Sequence, residues 1–144
     1  MSTDTSEQAA EPRGSLATRT LAMPADANPS GDIFGGWVLS QMDIAGGITA
    51  GTHAAGRVAT VAVDAMTFHR PVYVGDVLCT YADIIRSGRT SIAIHIEAWA
   101  QRGRQGERVK VTQGVFTFVA IDDQGRPRPL SESAPEPAKE QPIP

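Results

Sequence analysis

Asp43 is the one charged residue in an apolar stretch that opens on two adjacent glycines, Gly35 and Gly36. A loop containing Asn28, Pro29, Ser30 and Gly31 leads into it, so the segment reads NPSGDIFGGWVLSQMD. With the stretch after Gly35 helical, its first turn presents backbone N–H groups without intrahelical acceptors and a partial positive charge. Glycine there lets a ligand approach the backbone closely. Asp43 stands eight residues beyond Gly35, which leaves the two within roughly 80° of each other on the helix surface at about 100° per residue. A backbone donor for a developing oxyanion, and a carboxylate to activate water or to attack directly, are the groups that hydrolysis at a carbonyl carbon requires.

Plainer readings of the same residues exist. A lone aspartate on a helix is ordinarily solvent-facing or capping, paired glycines can serve packing alone, and Asn28 beside Pro29 is a common turn residue. Other chemistries lack their parts. His53, His69 and His95 are widely spaced, there is no HExxH and cysteine is single, so no metal set is expected. No G-x-S-x-G elbow marks a serine nucleophile, and GDIFGG lacks the Lys-Ser/Thr ending of a phosphate loop.

The elements that must hold these groups follow from the hydropathy pattern. Leu16 to Ala22 leans towards strand, and residues 24–31 form a loop. Gly35 to about Thr52 reads as a helix, apolar on most sides and therefore buried, with Gly46, Gly47 and Ala50 allowing close packing. After Gly56 the pattern turns to β. Strands are expected over Val58 to Arg70, Val77 to Arg86, Thr90 to Ala100 and Val109 to Ile121. In the third of these, Ile92, Ile94, Ile96 and Ala98 share one face, and Ala93, His95, Glu97 and Trp99 the other. Strands joined by short turns imply an antiparallel sheet, here an α+β fold wrapped round one long helix. Its long edges predict dimerisation through a sheet edge.

The 144 residues suffice for one domain. Residues 1–14 and the Pro/Glu-rich 131–144 read as disordered, leaving 15–130 as the domain. The net charge of −3 argues against nucleic acid as partner. No apolar run approaches the ~20 residues of a membrane span, and the polar N-terminus is no signal peptide. Cys79 has no partner for a disulfide, which suits a reducing, cytoplasmic setting; on its strand it reads as a small buried residue.

The stretches TLAMPADANPSGDIFGGWVLSQMD, GRVATVAVDAMTFHRPVYVGD, SGRTSIAIHIEAW and VTQGVFTFVAID together resemble hotdog-fold acyl-CoA thioesterases, in particular bacterial acyl-CoA hydrolases of the YciA type. The resemblance spans about Thr20 to Asp122. It implies hydrolysis of an acyl-CoA to acid and CoA, with no cofactor because CoA belongs to substrate and product. Such enzymes use an Asn before the helix, a glycine amide at its start and an Asp fifteen residues after the Asn; Asn28, Gly35 (with Gly36 beside it) and Asp43 take those positions. The resemblance also implies a site shared across a homodimer, with Asp43 coming from the partner, and a trimer of such dimers. Distant relatives carry a serine on the second strand; the resemblance puts Val61 at that position, which offers no hydroxyl and is given no role.

CoA brings phosphates, which call for positive charge and donors. Arg86, Ser87, Gly88, Arg89, Thr90 and Ser91 combine two guanidinium groups, hydroxyls and a tight turn, and the resemblance places this turn near the pantetheine and nucleotide. Arg126 and Arg128 are further candidates. Trp37, Met42, Met66 and Phe68 could wall the acyl tunnel or simply be core. Competing functions are a hydroxyacyl-CoA dehydratase, disfavoured because the nearest histidine, His53, sits ten residues past Asp43; an acyl-CoA sensor, for which no DNA-binding segment is visible; and a thioesterase for carrier-protein substrates.

Overall fold

A computed structural model describes residues 11–64, 66–104 and 106–130. The elements are β1 (Ser15–Leu21), a 3-10 turn at Pro24–Asp26, α1 (Gly35–Ala54), β2 (Val58–Val63), β3 (Val77–Ser87), β4 (Ser91–Arg102) and β5 (Glu107–Ala120). All strands join one antiparallel sheet in the order β1-β3-β4-β5-β2. The helix enters between β1 and β2, the two edge strands, and lies across one face of the sheet.

The alternation in β4 fixes which face that is. Ile92, Ile94, Ile96, Ala98 and Ala100 are fully buried, as are Phe116 and Phe118 of β5. Val38, Met42, Ala45, Gly46, Ala50 and Ala54 are the buried side of α1. Gly46 sets the spacing, because a Cβ there would stand 2.5 Å from Phe118 Cζ and 2.7 Å from Ile96 Cδ1. Gly47, expected to serve the same purpose, has nothing within 4 Å. The helix ends two residues beyond the expected Thr52. Ala55 takes a left-handed conformation (φ 54°), and Gly56 N donates to Gly51 O at 3.2 Å, which closes the last turn.

Three expectations need correction. The helix is not buried on most sides: Ile44 and Ile48 are 48% and 54% exposed, and Leu39 is exposed too. One five-stranded sheet covers only one side of a helix, so the second apolar face is left bare. The strand expected to reach Arg70 stops at Val63, although Asp64 N still donates to Val115 O and His69 N to Val111 O. The segment read as disordered up to Gly14 makes fixed contacts at its end, whereas residues 1–10 and 131–144 lie outside the described residues. Arg13 Nε bonds Asp83 Oδ2 at 2.7 Å, and a Cβ at Gly14 (φ +97°) would meet Ala82 O at 2.5 Å.

Arg13 of that segment reaches the outer face of β4, which is buried too. Glu97 accepts hydrogen bonds from His95 Nε2 (2.9 Å), Trp99 Nε1 (2.9 Å) and Arg13 N (3.2 Å), with Lys110 Nζ at 3.4 Å. Burial alone would raise the Glu97 pKa; the bonds from His95, Trp99 and Arg13 outweigh it and hold the carboxyl below its ordinary value. A buried carboxylate is tolerable because its acceptor sites are satisfied.

Candidate active site

The loop before α1 is closed by Asn28. Its Oδ1 accepts from Ser30 N (2.9 Å) and Asp32 N (3.1 Å), and its own N–H donates to Asp32 O at 2.7 Å. Gly31 completes the turn at φ +90°. The oxygen of Asn28 is therefore occupied by the turn, while among the described residues no acceptor pairs with its Nδ2. An asparagine here does a structural task with one end and keeps two N–H donors at the other. Ile33 N donates to Val72 O, which clips the loop to the segment before β3, and Phe34 N donates back to Asp26 O of the 3-10 turn. Phe34 is the N-cap, without a side-chain cap. Gly35 and Gly36 are thus the first helical residues, and their N–H groups have no intrahelical acceptor.

A cleft of ≈ 320 Å³ opens at this end of the helix, between Ile33, Gly35 and Val38 on one side and residues 68–72 on the other. A Cβ on Gly35 would touch the Phe68 ring at 3.7 Å. Of the suggested wall residues, Phe68 lines the cleft, Met42 is fully buried core, and Trp37 and Met66 pack against the core.

Asp43 is half-buried on α1, and its Oδ1 accepts from Thr60 Oγ1 of β2 at 2.6 Å. The sequence carries no signal for Thr60, because β2 is irregular. The β2–β5 register passes from Thr60↔Phe118 directly to Ala62↔Thr117, so Val61 is the extra residue of a bulge. Thr60 lies opposite Phe118 and reaches Asp43 although it is itself exposed, and Val61 is 56% exposed. A hydroxyl on this strand does reach the helix, one residue before Val61.

Within one chain these groups do not meet. Eight residues at about 1.5 Å rise separate Gly35 from Asp43 by ~12 Å along the axis, too far for both to act on one carbonyl group. Asp43 instead shares its helix face with exposed Leu39, one turn earlier.

Arg86, Ser87, Gly88, Arg89, Thr90 and Ser91 lie together where β3 turns into β4, at the other end of α1. Gly88 N donates to Ser91 O at 2.8 Å. The hairpin is held from behind: His53 Nε2 and Ser87 Oγ are 3.1 Å apart, Ala120 N donates to Thr90 O, and Leu130 N donates to Arg89 O. Arg86 and Arg89 are exposed for most or part of their length, and their guanidinium groups have no partner among the described residues. Arg128 is otherwise engaged: its Nη2 donates to Ala54 O and its Nε to Ile121 O, both at 3.0 Å, which caps the helix C-terminus. Arg126 pairs with Asp122 at 3.9 Å. Cys79 is buried, as expected. Among the described residues no cluster of His, Cys, Asp and Glu could hold a metal ion.

Comparison with known proteins agrees with this architecture. Residues 30–107 match the family model described as the thioesterase superfamily. The acyl-CoA thioester hydrolase YciA of Salmonella typhimurium is 56% identical over 122 residues, 83% of this chain and 92% of that protein. The solved hexameric thioesterase y2039 of Yersinia pestis is 57% identical, with a TM-score of 0.79 over 83% of this chain and 97% of that one. The solved HI0827, a hexameric broad-specificity acyl-coenzyme A thioesterase, is 51% identical, with a TM-score of 0.80 over 84% of each chain. With a hotdog architecture and identity of this extent, the chain belongs to the thioesterase superfamily.

Proposed function

We propose that this protein, an acyl-CoA thioesterase by its kinship, hydrolyses its substrate in sites shared between two copies of the chain. The observation that carries the shared site is the ~12 Å axial offset between the Gly35 amide and Asp43. An antiparallel second helix cancels such an offset, setting Asp43 of one copy beside Asn28 and Gly35 of the other. The bare apolar face of α1 and the exposed edge of β2, with Val61 and Val63 uncovered, are where the second copy docks. The solved relatives are hexameric, which suits a trimer of such dimers.

In each site the thioester oxygen accepts from Gly35 N–H, with Gly36 N–H beside it. These donors meet charge that grows only as the tetrahedral intermediate forms, an effect worth ~10²–10³ in rate. Asn28 Nδ2 orients the thioester or the attacking water. Asp43, held by Thr60, takes the proton of that water, or attacks the carbonyl carbon itself; both routes end in a carboxylic acid and CoA.

The hairpin from Arg86 to Ser91 receives the CoA phosphates. It lies at the level of His53, ten residues and ~15 Å beyond Asp43 on the same chain. A pantetheine arm about as long as four extended residues, ~14 Å at ~3.5 Å each, spans that distance. The reading needs no cofactor, metal, nucleic acid or membrane, and places the enzyme in the cytoplasm with its substrate. No helix of the described residues is long and apolar enough to cross a membrane. A dehydratase would need a histidine beside Asp43, and His53 is instead engaged with Ser87.

The test is thiol release from acyl-CoAs of increasing length by the native protein and by Asp43→Ala. The native protein should release CoA and the variant should not, with unchanged circular dichroism and oligomeric size. A variant that keeps most of its kcat would overturn the role of Asp43.

A further inference from the structure

The cleft beside Gly35 has an uneven lining. Ile33, Val38, Phe68 and Val72 make its walls apolar, and its two ionisable lining residues are His69 and Arg70, with no carboxylate of the same chain among the residues that line it. Neither is spent elsewhere. Among the described residues the His69 ring has no hydrogen-bond partner. Arg70 makes one long bond, Nη1 to Lys110 O at 3.4 Å, and its remaining guanidinium N–H groups have none. A guanidinium with open donors in the lining of an apolar cleft is suited to a carboxylate on a short apolar stem.

We propose that this cleft accepts the acyl part of the substrate and that Arg70, with His69, recognises a carboxylate at its far end, so that short dicarboxylic acyl-CoAs are substrates of choice. The proposal rests on the hydrolase reading and deepens it. The anion in question is not a CoA phosphate. The cleft adjoins Gly35, where the thioester carbonyl sits, and the phosphates lie a pantetheine arm away, at the hairpin. The cleft volume of ≈ 320 Å³ suits a chain of a few carbons with its terminal group.

The test compares glutaryl-CoA with pentanoyl-CoA, equal in chain length and differing in the terminal carboxylate, by thiol release at fixed ionic strength. The native protein should hydrolyse glutaryl-CoA with the higher kcat/KM. Arg70→Gln should lower kcat/KM for glutaryl-CoA about tenfold or more, the scale of one lost charge-assisted hydrogen bond, while pentanoyl-CoA stays within about twofold. His69→Gln should shift the same ratio in the same direction, so the result does not hang on one variant. A native preference for pentanoyl-CoA would overturn the proposal. So would an equal loss for both substrates in Arg70→Gln, which would assign the guanidinium to CoA itself. Release from neither substrate, nor from any other acyl-CoA, would instead overturn the hydrolase reading beneath it.

Discussion

Replacing Thr60 by valine removes one hydroxyl and keeps the side chain's shape and β-branching, so β2 retains its packing. The lost contact is the 2.6 Å bond from Thr60 Oγ1 to Asp43 Oδ1, a short bond to a carboxylate and hence a charge-assisted one. Hydrogen bonds to charged groups contribute about 1.5–3 kcal/mol net. Asp43 is half-buried and Thr60 exposed, so water can largely replace the hydroxyl, and the loss belongs near the low end, ~1–2 kcal/mol. If the bond's task is to aim the carboxylate in the transition state, that loss falls on kcat as a drop of roughly 5- to 30-fold, with KM little changed. Thermal unfolding should shift by no more than the equivalent of about 1 kcal/mol. The assay is thiol release at saturating butanoyl-CoA, with Thr60→Ser as the control that restores the donor. A valine variant within twofold of native kcat, or a serine variant as impaired as the valine one, would refute the aiming role.

Two further predictions concern the scaffold. Gly46→Ala should destabilise the fold by about 1–2 kcal/mol, because the new methyl overlaps the buried Phe118 ring and the clash exceeds the helix-propensity gain of about 1 kcal/mol; chemical denaturation that showed no loss would contradict this spacing. The depressed pKa of Glu97 makes its contribution fully present above the ordinary carboxylate range and lost as pH falls through the folded-state value. The stability gap between native protein and Glu97→Gln should therefore narrow as pH drops below about 4.5, and parallel pH–stability curves would show that Glu97 is not the group responsible.

Most of the architecture was legible because each element carries a clean period. The isoleucines of β4 at every second position leave little choice of face, and the apolar run of α1, broken by one charge at Asp43, leaves little choice of element. What was not legible depends on contacts distant in sequence. The bulge at Val61 leaves no mark in VATVAV, so nothing in the sequence singles out Thr60. The burial of Glu97 depends on Arg13, 84 residues away, in a polar segment with no period of its own. The premature end of β2 and the bare side of α1 reflect what a single sheet can cover. Asn28 was legible by type, but its division of labour, oxygen to the turn and nitrogen to the cleft, appears only in three dimensions. Arg128, a candidate phosphate ligand by charge alone, proved to be a helix cap.

The shared site is the central claim, and subunit complementation tests it most directly. Asn28→Ala and Asp43→Ala chains, each inactive alone and carrying different affinity tags, would be co-expressed and the mixed assembly assayed for thiol release. In a two-fold dimer each mixed pair holds one site with intact Asn28 and intact Asp43, and one site with neither. With random pairing about half the dimers are mixed and each has one working site of two, so activity should return to about a quarter of native. Activity no higher than that of the parent variants, in preparations shown by both tags to contain mixed dimers, would place Asn28 and Asp43 in the same chain's site and contradict the account.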